Sequence, residues 1–149
     1  MDALKSLETL LIGHNGLSSV ASVEGILACP TLNTLDLQHN AIDDPAIVDL
    51  VVRMPALAVL YLQGNPCVKK IPHYRRALIA RIPTLKFLDD RPVFDEERER
   101  AEAFYAVLEG GGNAKEARAA ERTVVQAQRD RKRAKEEANF QAFQDMLAE

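Results

Sequence analysis

Leu32-Asn-Thr-Leu35-Asp-Leu37-Gln-His-Asn40-Ala-Ile42 decides the fold, because the chain writes the same pattern twice more. Upstream it reads Leu7-Glu-Thr-Leu10-Leu-Ile12-Gly-His-Asn15-Gly-Leu17, and downstream Leu57-Ala-Val-Leu60-Tyr-Leu62-Gln-Gly-Asn65. The three asparagines are spaced 25 residues apart. A fixed period of this size builds a solenoid, in which each unit buries its apolar side only against its neighbours. Such a fold presents an extended surface to a partner, and the question of function becomes one of what that surface binds.

The shared template, LxxLxLxxNxL, is that of the leucine-rich repeat. Leucines at template positions 1, 4 and 6 point inward, and a short strand runs through positions 3 to 5. Alternation along the strand sends positions 3, 5 and 7 outward onto the concave sheet. Asn15, Asn40 and Asn65 stand where the chain leaves each strand. An amide both donates and accepts, so stacked asparagines satisfy the buried turns from one repeat to the next. The fold expected is an α/β, right-handed leucine-rich-repeat solenoid with a C-terminal cap and an α-helical extension.

Each strand must be followed by a return over the convex face. In the first return Val23, Ile26 and Leu27 form the apolar stripe, ending at Cys29-Pro30. The second starts at Asp43-Asp44-Pro45, with Asp as N-cap and Pro in the first turn. It carries Ile47, Val48, Leu50, Val51 and Met54 inward. The third, from Ile71 to Pro83, reads as a helix with Tyr74, Leu78, Ile79 and Ile82 inward. A fourth strand, Leu85-Lys-Phe-Leu88-Asp89, begins the template without reaching its Asn; Asp90-Arg91-Pro92 stands there instead and closes the array. At the other end residues 1–4 run straight into the first repeat with no covering element. A bare solenoid end is an aggregation hazard, so the pattern predicts further repeats upstream in a longer parent.

The 149 residues suffice for one compact unit and an appendage. There is no run of 18 apolar residues and no apolar stretch behind Asp2 and Lys5, so no membrane span or signal peptide is expected. Cys29 and Cys67 lie in separate repeats without metal-like neighbours and are read as reduced core thiols, which suits the cytosol. Residues 1–94 hold nine basic and nine acidic side chains; residues 95–149 hold ten and thirteen, interleaved. That balance argues against nucleic acid as a partner.

The boundary expected between repeats with their cap (1–94) and charged extension (95–149) falls just after Pro92. Asp95, placed as N-cap, opens a helix with Ala101, Phe104, Val107 and Leu108 on one face. Gly110-Gly111-Gly112 breaks it, and Asn113 caps a long charged helix from about Ala114 to Leu147. The face of that helix through Ala117, Ala120, Val124 and Ala127 is thin and is interrupted by Arg131. Only its end, with Phe140, Phe143, Met146 and Leu147, is apolar enough to bury. Residues 95–108 are expected to cover the last repeat, and 113–149 to project away or dock on another molecule.

The closing segment resembles a known cap. Asn65-Pro-Cys67, Tyr74-Arg-Arg76 and Ile82-Pro83-Thr-Leu85-Lys-Phe-Leu88-Asp89 are similar to the cap of intracellular repeat proteins. These include the U2A′ splicing protein, the acidic nuclear phosphoproteins and axonemal dynein light chain 1. More pointedly, Leu85-Lys-Phe-Leu-Asp-Asp-Arg-Pro-Val-Phe94, followed by Glu97-Arg98 and Ala101-Glu102-Ala103, resembles the leucine-rich-repeat axonemal dynein assembly factors. That resemblance implies a non-enzymatic factor acting in the cytoplasm, with a link to the cilium or flagellum. Its role would be preassembly of dynein arms, with dynein chains or chaperone assemblies as partners. The alternative is a generic intracellular adaptor or regulatory subunit of a ribonucleoprotein or phosphatase complex.

Candidate contact residues follow from the template. The outward positions place Leu11, Asp36, Gln38, Tyr61, Gln63 and Phe87 on the concave face, with aromatics as interface anchors. The tail offers Phe140, Phe143 and Leu147. His14 and His39 share a template position and are expected as strand neighbours about 5 Å apart, a polar ladder rather than a metal site. Lys69, Lys70, His73, Arg75, Arg76 and Arg81 form a basic cluster expected to snorkel over the core. Asp89-Asp90-Arg91 is read as turn capping with a local ion pair. No nucleophile, general base or phosphate loop is recognisable, so no catalytic residue, cofactor or metal is assigned.

Overall fold

The structure, a computed structural model, describes residues 8–18, 25 and 29–149. The first return through Val23, Ile26 and Leu27, the inward Leu7 and the start at residues 1–4 lie outside the described residues. The chain divides into two compact units between Arg98 and Glu99.

Strand formation in the first unit follows the leucine pitch. β1 (Thr9–Leu11), β2 (Thr34–Asp36) and β3 (Val59–Tyr61) each occupy template positions 3 to 5. They pair in parallel, with Leu10 opposite Leu35 and Leu35 opposite Leu60. β4 (Phe87–Leu88) continues the sheet, with Leu88 opposite Leu60. Leu32, Leu35, Leu37, Leu57, Leu60, Leu62, Leu85 and Leu88 are all fully buried, so the inward half of the template is the core.

The asparagines form the ladder their chemistry requires. Asn40 Oδ1 accepts from the N–H groups of Asn15 and Leu17, at 2.8 and 3.1 Å. Its Nδ2 donates to the carbonyls of Ile12 and Leu37, at 3.1 and 2.9 Å. Asn65 repeats this one repeat on, accepting from Ile42 N–H and donating to Leu37 and Leu62. Removing either side chain strands buried backbone groups, at about 1–3 kcal/mol.

Two returns differ from the expectation in where their helices begin. α1 spans only Ile47–Val51. Asp44 Oδ1 accepts from Ala46 N–H at 2.9 Å, which holds a turn ahead of the helix rather than capping it directly. The third return is a 3₁₀ turn, Pro66–Lys70, followed by α2 from Tyr74 to Arg81. The helix does not start at Ile71. Pro72 keeps Ile71 extended, and His73 sits in the left-handed region at φ 52°. Cys29 and Cys67 are buried and free, and burial pushes the Cys67 thiol upward.

At the end of the sheet the chain reverses. Asp89 and Asp90 have φ of 48° and 67°, the two left-handed residues of a type I′ hairpin turn. β5 (Arg91–Pro92) then pairs antiparallel with β4, Leu88 opposite Arg91. Asp89, rather than the following turn, takes over the missing asparagine's work. Its Oδ1 accepts from the N–H groups of Leu62 and Gln63 at 2.7 and 3.1 Å. Its Oδ2 accepts from the Tyr74 hydroxyl at 2.6 Å. Its carboxylate is therefore not on the open face, where template alternation places it. Burial and this carboxylate raise the Tyr74 phenol well above its ordinary value.

α3 (Asp95–Glu109) takes Asp95 as its first helical residue rather than its N-cap. Its opening turn is tied to the repeats. Arg98 donates to the carbonyls of Ile79, Ile82 and Leu85, in the last turn of α2 and the residues just after it. Arg75 forms a two-pronged ion pair with Glu97, at 2.7 and 2.8 Å, and also donates to the carbonyls of Leu88 and Pro92.

The second unit is a helical hairpin. After the glycines, with Gly111 at φ 91°, Asn113 Oδ1 accepts from Glu116 N–H at 2.9 Å and starts α4 (Ala114–Ala148). Ala101, Phe104, Ala117 and Gln128 are buried. Gln128 accepts from Arg100 at 2.6 Å, and Arg131 pairs with Glu99 at 3.0 Å. Gln128 in turn donates to Glu99 Oε2 at 3.3 Å, and that bond, with those from Arg131, holds Glu99 lower in pKa than an ordinary carboxylate. The first half of α4 therefore runs back along α3, against the expectation that 113–149 projects as a whole. Ala101 and Ala117 are buried between them, and Arg131, read as an interruption, pairs with Glu99 instead. Residues 129–149 are exposed.

Candidate protein-binding face

Three rows of side chains stand on the open face of the sheet, fixed by strand register. Thr9, Thr34, Val59 and Phe87 form one row, and Leu11, Asp36 and Tyr61 the next. Gln38 and Gln63 follow two residues on. Leu11 is 67% exposed, an apolar side chain left in water on a rigid strand. Tyr61 and Phe87 are half-buried, and their rings meet diagonally across adjacent strands, centroids 6.0 Å apart and tilted by 48°. Each ring thus holds the other in place, as an interface anchor requires.

A line of polar groups runs beside them. Both oxygens of Asp36 accept from Gln38, one from its backbone N–H and one from its side-chain amide, each at 3.0 Å. The Gln63 amide donates to Gln38 Oε1 at 3.2 Å and to Asp90 Oδ2 at 3.0 Å. All six candidate residues of this face are thus brought onto one surface, joined by Asp90. Asp90 was readable only through its turn, since two aspartates between Leu88 and Arg91 admit left-handed backbone. Gly13 stands in the first repeat where Gln38 and Gln63 stand in the next two; a Cβ there would lie 3.1 Å from Asp36 Oδ1.

The two histidines stack, centroids 4.8 Å apart and 23° from parallel, each at positive φ. In the third repeat the same template position is Gly64, at φ 83°, and a Cβ there would lie 2.3 Å from His39 Nδ1. Among the described residues, no cluster of three or more His, Cys, Asp or Glu is placed to hold a metal ion.

The basic cluster is taken apart by its pairings. Arg75 is committed to Glu97, and Arg81 donates to Asp49 at 2.9 Å. Lys69 and Lys70 remain at the rim of an open depression of about 520 Å³ lined also by Gly64, Asn65, Pro66 and Val68. On α4, Phe140, Phe143, Met146 and Leu147 are 52–68% exposed, so the tail candidates lie far from the sheet in sequence and open to water. Among the described residues no helix is long and apolar enough to cross a membrane.

Residues 1–118 match the family model described as leucine-rich repeat. The leucine-rich repeat-containing protein ODA7 of Chlamydomonas reinhardtii is 56% identical over 48 residues, 32% of this chain and 10% of that protein. The dynein axonemal assembly factor 1 homolog of Drosophila pseudoobscura pseudoobscura is 41% identical over 103 residues, 69% of this chain and 6% of that protein. The human dynein axonemal assembly factor 1 is 51% identical over 41 residues, 28% of this chain and 6% of that protein. The chain thus spans a tenth or less of these relatives' length. Among solved structures, the Drosophila melanogaster SNF/U2A′ complex matches with a TM-score of 0.55 and 29% identity, over 66% of this chain and 56% of that one. The Chaetomium Mex67:Mtr2 subunits match in fold, with a TM-score of 0.52 and 23% identity, over 64% and 62% of the two chains. With the template, the register and the closing segment in agreement, the chain belongs to the leucine-rich-repeat family.

Proposed function

We propose that the chain is a non-catalytic protein-binding module acting in the cytoplasmic preassembly of axonemal dynein arms. The observation that carries this is the open sheet face, where Leu11 and the Tyr61–Phe87 pair are held on rigid strands. Names of the relatives supply the process; dynein chains or the chaperone assemblies that handle them are the partners. Within the module, residues 1–94 form the repeat array and its cap, in the right-handed sense that parallel crossovers adopt in about 98% of cases. Residues 95–149 form the extension. Its first turn fastens onto the last repeat through Arg98 and Glu97, and its exposed end offers Phe140, Phe143 and Leu147 as a second contact. The likeness to the SNF/U2A′ structure favours a rival, an adaptor within a ribonucleoprotein complex.

Immunoprecipitation from cells building motile cilia separates the two. Dynein chains are expected with the wild-type chain. They are lost with the Tyr61→Ala, Phe87→Ala double variant, whose melting temperature stays near wild type. Binding should weaken by more than about 2 kcal/mol, as for paired hot-spot anchors. Recovery of ribonucleoprotein components without dynein chains would support the rival.

A further inference from the structure

The open face has a chemical bias that specifies its partner more narrowly, on the reading that this face is the binding surface. Its polar line is nearly out of donors. Both N–H groups of the Gln63 amide are spent on Gln38 Oε1 and Asp90 Oδ2. Gln38 gives its backbone N–H and a side-chain N–H to Asp36. The Thr34 hydroxyl donates to Asn33 Oδ1 at 2.8 Å. What remains turned to solvent is mainly acceptor capacity: lone pairs on the Asp36 and Asp90 carboxylates and on Gln63 Oε1, against one Gln38 N–H and the Tyr61 hydroxyl as donors.

Charge points the same way. No Lys or Arg occupies an outward position 3, 5 or 7 in any of the three repeats; the charges beside the aromatic pair are Asp36 and Asp90. Glu8 and Lys86, one residue ahead of the strand rows, oppose each other in sign. Asp36 is the in-register strand partner of Tyr61, so the two side chains leave neighbouring strands about 4.8 Å apart on the same face, with the carboxylate on the side of the ring away from Phe87.

We propose that this face takes a partner segment carrying an arginine between apolar residues, its guanidinium stacked on Tyr61 and donating to Asp36, with Asp90 closing the far side. Guanidinium brings five donors and no acceptor, which is the complement of what the face leaves unsatisfied. Its planar cation also stacks on an aromatic ring, which a lysine ammonium does less well. Flanking apolar residues cover Leu11 and Phe87. A carboxylate-bearing segment meets two like charges, with only the Tyr61 and Thr9 hydroxyls and one Gln38 N–H to donate to it.

The test uses the full-length chain and three acetylated, amidated pentapeptides, Gly-Leu-X-Leu-Gly, with X as arginine, citrulline or glutamate. Binding is read from amide chemical shifts of the protein. The arginine peptide is expected to move Leu11, Asp36, Tyr61 and Phe87 and to bind at least about tenfold more tightly than citrulline, whose shape matches without the charge. Asp36→Asn, which keeps an acceptor for Gln38 N–H, should erase that difference and leave the melting temperature unchanged. Equal binding of arginine and citrulline, preference for glutamate, or shifts confined to the helical side would overturn the inference. If Asp36→Asn leaves dynein-chain recovery intact while the Tyr61, Phe87 double variant abolishes it, the binding face stands and its arginine specificity falls.

Discussion

Leu60 lies at the centre of the sheet, fully buried and paired to both Leu35 and Leu88. Leu60→Ala should cost about 2–5 kcal/mol, a core truncation with no room for collapse between neighbouring repeats. An unchanged denaturation midpoint would contradict the register. Alkaline pH probes a different residue. Tyr74, and Cys67 near it, hold their protons more tightly folded than unfolded. The stability this contributes is complete below the ordinary thiol and phenol values, 9.0 and 10.0, and drains away as pH rises above them. Denaturation between pH 9 and 11 should therefore show wild type losing stability more steeply than Tyr74→Phe; parallel slopes would refute it. Leu60 was legible from the leucine pitch alone. Asp89 was not, because the template sends its position outward and only the left-handed turn swings the carboxylate in.

Strands were readable because each repeat restates them at a fixed spacing, so an error in one copy is exposed by the others. Helices were less so. α2 begins three residues later than its apolar pattern, where Pro72 and the left-handed His73 override periodicity. α4 was under-read because alanine counts little in an apolar stripe, although it permits close approach. The α3–α4 hairpin divides the extension at Arg131. Deleting 132–149 should leave the melting temperature near wild type, since those residues are exposed. Deleting 113–149 should lower it by uncovering Phe104, which is fully buried. Equal effects from both deletions, measured by calorimetry, would place the seam elsewhere.

Across the whole molecule, β5 shapes when the fold forms as well as where it ends. The parallel strands must each close a loop of about 25 residues, whereas β4 and β5 close over the two-residue turn Asp89-Asp90. By loop-closure entropy that difference is about 2 kcal/mol in favour of the hairpin. The C-terminal hairpin is therefore the cheapest first event, and the repeats should add to it in sequence toward the N-terminus. Stopped-flow refolding should show Leu88→Ala slowing folding and Leu35→Ala mainly hastening unfolding; the reverse pattern would disprove this order. A chain synthesised from its first repeat would then wait for its last one, and the early repeats would leave the ribosome as unpaired apolar strands in need of a holding partner.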